Sequence, residues 1–259
     1  MKCIAGRFFS SDGGTFPVCW CGKVWIDMNN FLNQPPPTEL HGRLAYTVGE
    51  FVPAALVRAK SVLNIGCGYG WFELWASQNG ATRMSAIDVT DSDLDTARRF
   101  IQDSRVEFKV GSAIEIPYPD QSFHTVVSWE VIEHIPRKTE PKMFSEVARV
   151  LKPGGQFLLS TPNRHWLSIL LDPTVLMIDH RHYSLEFLES IGRVQGFKLV
   201  RHEVKCGWLE ALDMWNLYVS KWIFRRDRFF KARSLRMTDY DYSRPRGFNT
   251  LFLQFEKMS

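Results

Sequence analysis

Two stretches of this chain carry residue types at spacings that could do chemistry. In the first, Val62-Leu63-Asn64-Ile65-Gly66-Cys67-Gly68-Tyr69-Gly70, an apolar run ends abruptly in alternating glycines. Each glycine removes a Cβ, so a strand can turn sharply into the helix predicted from Trp71 to Ala76. A nucleotide-like ligand can then rest against bare backbone near the helix N-terminus. In the second stretch Glu130, Glu133 and His134 are spaced i, i+3 and i+4. A helix beginning near Trp129 puts all three on one face. Two carboxylates and an imidazole can coordinate a hard divalent ion such as magnesium or manganese, with His180 or His182 to complete the set. The metal-free reading has Glu133 favouring a helix N-terminus and His134 serving as a neutral acid or base.

The elements that must position these residues follow the doubly wound plan. Strands are predicted at about 61–65, 84–88, 106–110, 124–129, 156–161, 197–205 and 248–256, with helical patterns after the first five, one of them Asp91 to Phe100. The second strand ends in Asp88, about 20 residues past the first glycine, the offset that brings a carboxylate to ribose hydroxyls. A dinucleotide site reads G-x-G-x-x-G to make room for pyrophosphate, whereas the spacing here is G-x-G-x-G. That difference points to a nucleoside without phosphates.

At this point the residues resemble class I S-adenosylmethionine-dependent methyltransferases. The likeness continues through Val110-Gly111-Ser112-Ala113, Ile116 to Phe123, Val126 to His134, Glu146 to Gly155 and Thr161-Pro162-Asn163, covering roughly residues 40 to 200. It implies a seven-stranded, mostly parallel α/β sheet whose last strand inserts antiparallel beside its predecessor. It implies S-adenosylmethionine as cofactor, held by Asn64, Gly66, Cys67, Gly68, Gly70, Asp88, Val89, Ser112, Ala113 and Ser128. Asn64 and Ser112 stand where an acid is common, and His124 where the phrase normally reads Phe-Asp. The E-x-x-E-H phrase is similar to that of O-methyltransferases of ubiquinone biosynthesis and of small-RNA 2′-O-methylation. It implies catalytic roles for His134, Glu133 and Glu130, and a metal set of Glu130, Glu133, His134 and His180. An alcohol acceptor is a poor nucleophile at neutral pH and needs a positioned base or a cation to lower its pKa.

A chain of 259 residues with 45% hydrophobic residues can bury one sizeable core. It contains no run of 18 apolar residues and no signal peptide, so a cytoplasmic location is expected. Five cysteines without an export signal argue for free thiols. Cys67 and Cys206 read as packing residues, while Cys3, Cys19 and Cys21 are clustered but lack the usual zinc spacing. Pro35-Pro36-Pro37 is a stiff linker between a head segment, 1–38, and a methyltransferase core, 39–206.

The parts outside the shared core carry the substrate. Trp166 to Leu171, followed by Pro173, Val175, Leu176, Met177 and Ile178, is too apolar for an ordinary surface loop and sits where a lid is expected. An insertion, 207–247, precedes the final core strand, 248–259. Within it Trp208, Leu212, Trp215, Val219 and Trp222 recur at steps of four and three, which predicts one amphipathic helix leading into interleaved aromatic and basic residues through Arg236. Segment 208–236 suits an anionic membrane surface at the inner face, a nucleic-acid backbone less well, or plain packing as a lid or dimer face. The leading expectation is an O-methyltransferase for a hydrophobic, lipid-linked or glycan hydroxyl. The alternatives are RNA 2′-O-methylation and a non-catalytic cofactor-binding interaction protein.

Overall fold

The computed structural model describes residues 5–9, 15–19, 37, 39–89, 91–175 and 180–258. The question of zinc at Cys3, Cys19 and Cys21 turns on side chains outside the described residues, and so do Pro35, Pro36, the apolar run Leu176 to Ile178 and the Trp222 side chain. A two-stranded antiparallel ribbon joins β1, Ala5–Phe9, to β2, Thr15–Cys19. The main sheet holds β3 (Ser61–Ile65), β4 (Arg83–Asp88), β5 (Val106–Val110), β6 (Phe123–Trp129), β7 (Leu151–Pro162), β8 (Phe197–Lys205) and β9 (Thr250–Lys257). Their order is β5-β4-β3-β6-β7-β9-β8. The first five run parallel, and β9 enters antiparallel between β7 and β8, as the family resemblance implies.

Alternate residues of the central strands feed two cores. Leu63, Val126, Phe157 and Leu253 pack on one face with Phe144, Val147, Leu188 and Ile191. Val62, Val127, Leu158 and Phe252 pack on the other with Phe51, Phe72 and Ala76. The period of two in side-chain direction is what lets near-continuous apolar strands be covered on both faces. The covering helices are α1 (Trp71–Gln78), α2 (Asp91–Phe100), α3 (Glu140–Val150), α4 (Trp166–Leu171) and α5 (Leu185–Val194).

Three sequence expectations are corrected. The segment between β5 and β6 holds no helix, because Pro117 and Pro119 remove backbone donors there. No helix begins near Trp129 either: Glu130 has φ of 56°, in the left-handed region, and residues 130–135 form turns until α3 starts at Glu140. The insertion forms two helices, α6 (Trp208–Trp222) and α7 (Lys231–Ser243), packed on each other. Asp241 on α7 accepts hydrogen bonds from the backbone N–H groups of Gly207, Leu209 and Glu210 at 2.8, 3.1 and 3.1 Å, capping the start of α6.

Candidate active site

β3 and β6 are neighbours in the sheet, but their onward connections run to opposite sides, so a crevice opens at their carboxyl ends. The glycine turn forms one wall. Gly66, Gly68 and Gly70 have φ of 74°, 52° and 85°. A Cβ on Gly66 would lie 2.4 Å from Cγ2 of Val131, and one on Gly70 would lie 2.5 Å from Cδ1 of Ile101. Only glycine combines that backbone with that approach. Asp88 ends β4 and accepts from the N–H groups of Gly68 at 3.1 Å and Val89 at 2.8 Å, so the acid expected to meet the ribose is tied to the glycine turn itself. Val89 is exposed at the rim, Cys67 and Ala113 are buried, and Cys67 and Cys206 are not disulfide-bonded. Ser112 Oγ accepts from Ile114 N–H at 3.4 Å, turning the loop after β5. His124 lies at the amino end of β6, between Ser61 and Lys152, away from the crevice.

A residue that the sequence reading missed sits beneath this wall. Glu73 on α1 is fully buried and accepts from Asn64 Nδ2 at 2.7 Å. Asn64 thus stands where an acid is common, and a carboxyl is supplied from the adjoining helix instead. Asn64 Oδ1, Glu73 Oε2 and Ser128 Oγ are buried without a hydrogen-bond partner among the described residues. Orphaned polar atoms of this kind at the carboxyl ends of β3 and β6 fit a polar nucleoside ligand. Desolvation, against the hydrogen bond from Asn64, pushes the Glu73 pKa from 4.5 up to about 7.

The folded chain therefore holds the Glu73 proton more tightly than the unfolded chain. Stability from this neutral buried acid is complete below about 4.5 and is lost as pH climbs through about 7. Glu73→Gln is expected to remove that loss and to exceed the parent at pH 8 by about 3 kcal/mol in unfolding free energy. Urea titrations of both proteins between pH 5 and 8 check it; parallel profiles would contradict it.

The second stretch forms the opposite wall, though not as a helix face. Glu130 turns aside: Oε1 accepts from Ser160 Oγ at 2.6 Å and Oε2 pairs with Arg43 at 2.7 Å. Glu133 is 2% exposed, with Oε2 accepting from Thr161 Oγ1 at 3.1 Å and Oε1 3.9 Å from His180 Nε2. Desolvation first, then the Glu130 charge, raise the Glu133 pKa well above the ordinary carboxylate range. The His134 and His180 rings face each other with centroids 5.2 Å apart. Desolvation and His180 push the His134 pKa down to about 4, so its ring is neutral near pH 7.

Asp172, immediately after α4, receives His180 Nδ1 at 2.6 Å, His182 Nε2 at 3.0 Å and Thr174 N–H at 2.8 Å. Against the desolvation of burial, the His180, His182 and Thr174 hydrogen bonds hold its carboxyl below the usual range. Arg181 clamps the turn from behind, donating to the carbonyls of Glu133 at 2.9 Å, Ile132 at 3.0 Å and Ile135, and pairing with Glu140 at 2.6 Å. The structure therefore brings Glu133, His134 and His180 together and leaves Glu130 apart. The ligand atoms of those three lie within 4.8 Å of one another, as do those of Asp172, His180 and His182. Arg43, Asp172 and Arg181 were not assigned roles from sequence. The alternation His180-Arg181-His182-Tyr183 is the one local signal that could have suggested two opposed faces.

Residues 62–155 match the family described as a methyltransferase domain. With the sheet order, the glycine turn and Asp88, the match identifies residues 62–155 as a methyltransferase domain with the architecture of the class I S-adenosylmethionine-dependent enzymes. Among relatives, a probable S-adenosylmethionine-dependent methyltransferase of Mycolicibacterium smegmatis is 33% identical over 141 residues, 54% of this chain and 52% of that one. A fatty-acid O-methyltransferase of the same organism is 28% identical over 141 residues, 52% of this chain and 51% of that one. The chain thus spans about half the length of these curated relatives. The crystal structure of a putative sarcosine dimethylglycine methyltransferase from Galdieria sulphuraria shares the fold, with a TM-score of 0.62 at 18% identity over 82% of this chain and 84% of that one.

Proposed function

We propose that the protein transfers a methyl group from S-adenosylmethionine to the oxygen of a hydrophobic, lipid-linked or glycan hydroxyl. The observation that carries this reading is the cluster Glu133, His134, His180 and Asp172 at the carboxyl ends of β6 and β7, beside the apolar helix α4. When bound, S-adenosylmethionine supplies an electrophilic methyl group on a sulfonium. The chain's own task is to align the acceptor, exclude water and remove the acceptor's proton. Asp88 and the glycine turn hold the nucleoside end. Asp172 bonds to Nδ1 of His180 at 2.6 Å, which fixes the ring and turns Nε2 toward Glu133.

Glu133, His134 and His180 also fit a divalent cation, with Asp172 orienting His180 from behind. These are the residues that would hold the ion, and it would acidify the acceptor hydroxyl. With Glu130 committed to Arg43, the set offers one carboxylate and two imidazoles. Manganese matches that nitrogen-rich set better than magnesium. The relative named as a fatty-acid O-methyltransferase supports an acceptor with an apolar chain that is methylated on oxygen, there a carboxyl rather than a hydroxyl oxygen.

Transfer of labelled methyl to hydroxyl acceptors of graded chain length tests the reading. Each methylene that becomes buried is expected to raise kcat/KM about fourfold, following roughly 0.8 kcal/mol per CH₂. Label appearing only in RNA, or in no acceptor although S-adenosylhomocysteine binds, would overturn it in favour of 2′-O-methylation or of a non-catalytic binding protein.

A further inference from the structure

The α6 helix is inverted relative to an ordinary surface helix. Its polar residues point inward: Asp213 and Ser220 are buried, Ser234 donates to Asp213, Arg228 pairs with Asp213 at 2.5 Å, and Asn216 Nδ2 donates to the Phe229 carbonyl at 2.8 Å. Three of its apolar residues point outward, Trp208, Leu212 and Trp215, exposed by 51, 58 and 45%. The polar side holds α6 to the second helix, and the stripe, although it touches Leu171 and Phe248, stays about half exposed. An apolar stripe left facing water costs free energy unless something covers it.

This face is continuous with the α4 helix beside the cluster. Trp215 Nε1 donates to the Leu171 carbonyl at 3.0 Å. Trp208 packs on Phe248, Phe248 on His165, and His165 on Trp166, at centroid separations of 5.6, 5.4 and 6.1 Å. Trp166 and Leu170 of α4 are themselves exposed by 67 and 69%. Past α6 the same character continues in exposed Ile223, Phe224 and Phe230, and arginine joins it. Arg225, Arg226, Arg233 and Arg236 are exposed, and none of the four is in a salt bridge among the described residues. Residues 207–247 carry nine Lys and Arg against five Asp and Glu, an excess equal to the +4 of the whole chain.

We infer that the outward face of α6, with α4 and the loop after α6, docks on an anionic bilayer surface. Tryptophan, leucine and isoleucine enter the headgroup and upper acyl region while the arginines meet lipid phosphates. Charge decides among occupants. A second copy meeting this face across a two-fold axis would set arginine clusters against each other. Nucleic acid would satisfy the arginines and leave Leu170, Leu212 and Ile223 without partners. Among the described residues no helix is long and apolar enough to cross a membrane, so the contact is a surface one. Docking this way sets Asp172, the residue that follows α4, close to the bilayer, and the acceptor enters from the lipid phase. That last step rests on the proposed hydrophobic acceptor; the docking itself does not.

Flotation of the full chain with vesicles of phosphatidylcholine alone and with phosphatidylglycerol added tests the inference without any turnover. Binding is expected to the anionic vesicles, to weaken with salt, and to fall about tenfold or more in Leu170→Ser/Leu212→Ser. Each of Arg225→Gln and Arg226→Gln, in the loop after α6, is expected to weaken it about fivefold. Both leucines are more than half exposed, so thermal stability of the variants should be unchanged, and circular dichroism checks that. No flotation, flotation indifferent to the leucine pair, or a dimer that Leu212→Ser dissociates would each overturn the proposal. So would RNA binding stronger than anionic vesicle binding. Methyl transfer to a detergent-dispersed acceptor, measured separately, distinguishes a failure of docking from a failure of the proposed chemistry.

Discussion

Replacing Gly66 by valine is expected to abolish measurable binding of S-adenosylhomocysteine, a loss of more than about 100-fold, because a β-branched residue at positive φ is a severe backbone outlier. The backbone there sits at φ of 74°, and the added Cβ alone would fall 2.4 Å from Val131 Cγ2. Either the turn flattens and leaves the crevice, or Val131 is driven into the turn that carries Glu133. The variant also risks misfolding, so Asp88→Ala is its partner experiment. Asp88 has a single strand end behind it and accepts from two backbone N–H groups, at Gly68 and Val89. Its removal is expected to weaken binding by about 1–3 kcal/mol, through lost charge-assisted hydrogen bonds to the ribose and a looser glycine turn. Asp88→Asn keeps one acceptor oxygen and should fall between the parent protein and Asp88→Ala. Isothermal calorimetry with S-adenosylhomocysteine reads all three. Binding of NAD in place of S-adenosylhomocysteine would show that the G-x-G-x-G turn had been assigned to the wrong nucleoside.

The cofactor wall was legible in the sequence because its logic is local. Glycine spacing, an apolar strand and an acid at the end of the next strand are all consequences of one βαβ unit, and the seven strands follow the same hydrophobic pattern. The acceptor wall was only partly legible. Glu130, Glu133 and His134 sit at helical spacing, yet Glu130 takes a left-handed backbone and bonds to Ser160 and Arg43 instead. Both partners are distant in sequence, and spacing carries no record of them. Asp172 and Arg181 escaped notice for the same reason, since their roles exist only once α4 and the extended 180–183 segment fold back over the 130–135 turn. The α6 helix shows a different limit. Its period of four and three was readable, but which side faces the protein was not, because a helix can bury its polar stripe when a second helix supplies Ser234 and Asp241 as partners.

A chelator is expected to stop methyl transfer while S-adenosylhomocysteine binding survives, and added manganese is expected to restore turnover more fully than magnesium. The two ligand sets separate in this experiment. The glycine turn and Asp88, proposed to hold the nucleoside end, share no residue with the Glu133, His134 and His180 cluster, so removing an ion from the cluster should leave cofactor binding intact. Loss of any one of three ligands leaves too few to hold the ion, so Glu133→Gln, His134→Ala and His180→Ala should each reduce kcat by roughly 100-fold or more. Asp172→Asn acts one step back, through the 2.6 Å hydrogen bond that orients His180, and is expected to weaken the apparent manganese affinity about 10- to 100-fold. Extra manganese should rescue it, a response that a merely structural defect would not give. Glu130→Gln leaves the cluster's donors in place and should retain manganese dependence, in contrast to the four-ligand set that the E-x-x-E-H spacing suggests. Undiminished turnover in excess chelator would remove the ion from the mechanism. The imidazole pair would then carry the proton, His180 as the base held by Asp172 and His134 as its neutral neighbour, and His180→Ala would remain severe while manganese made no difference.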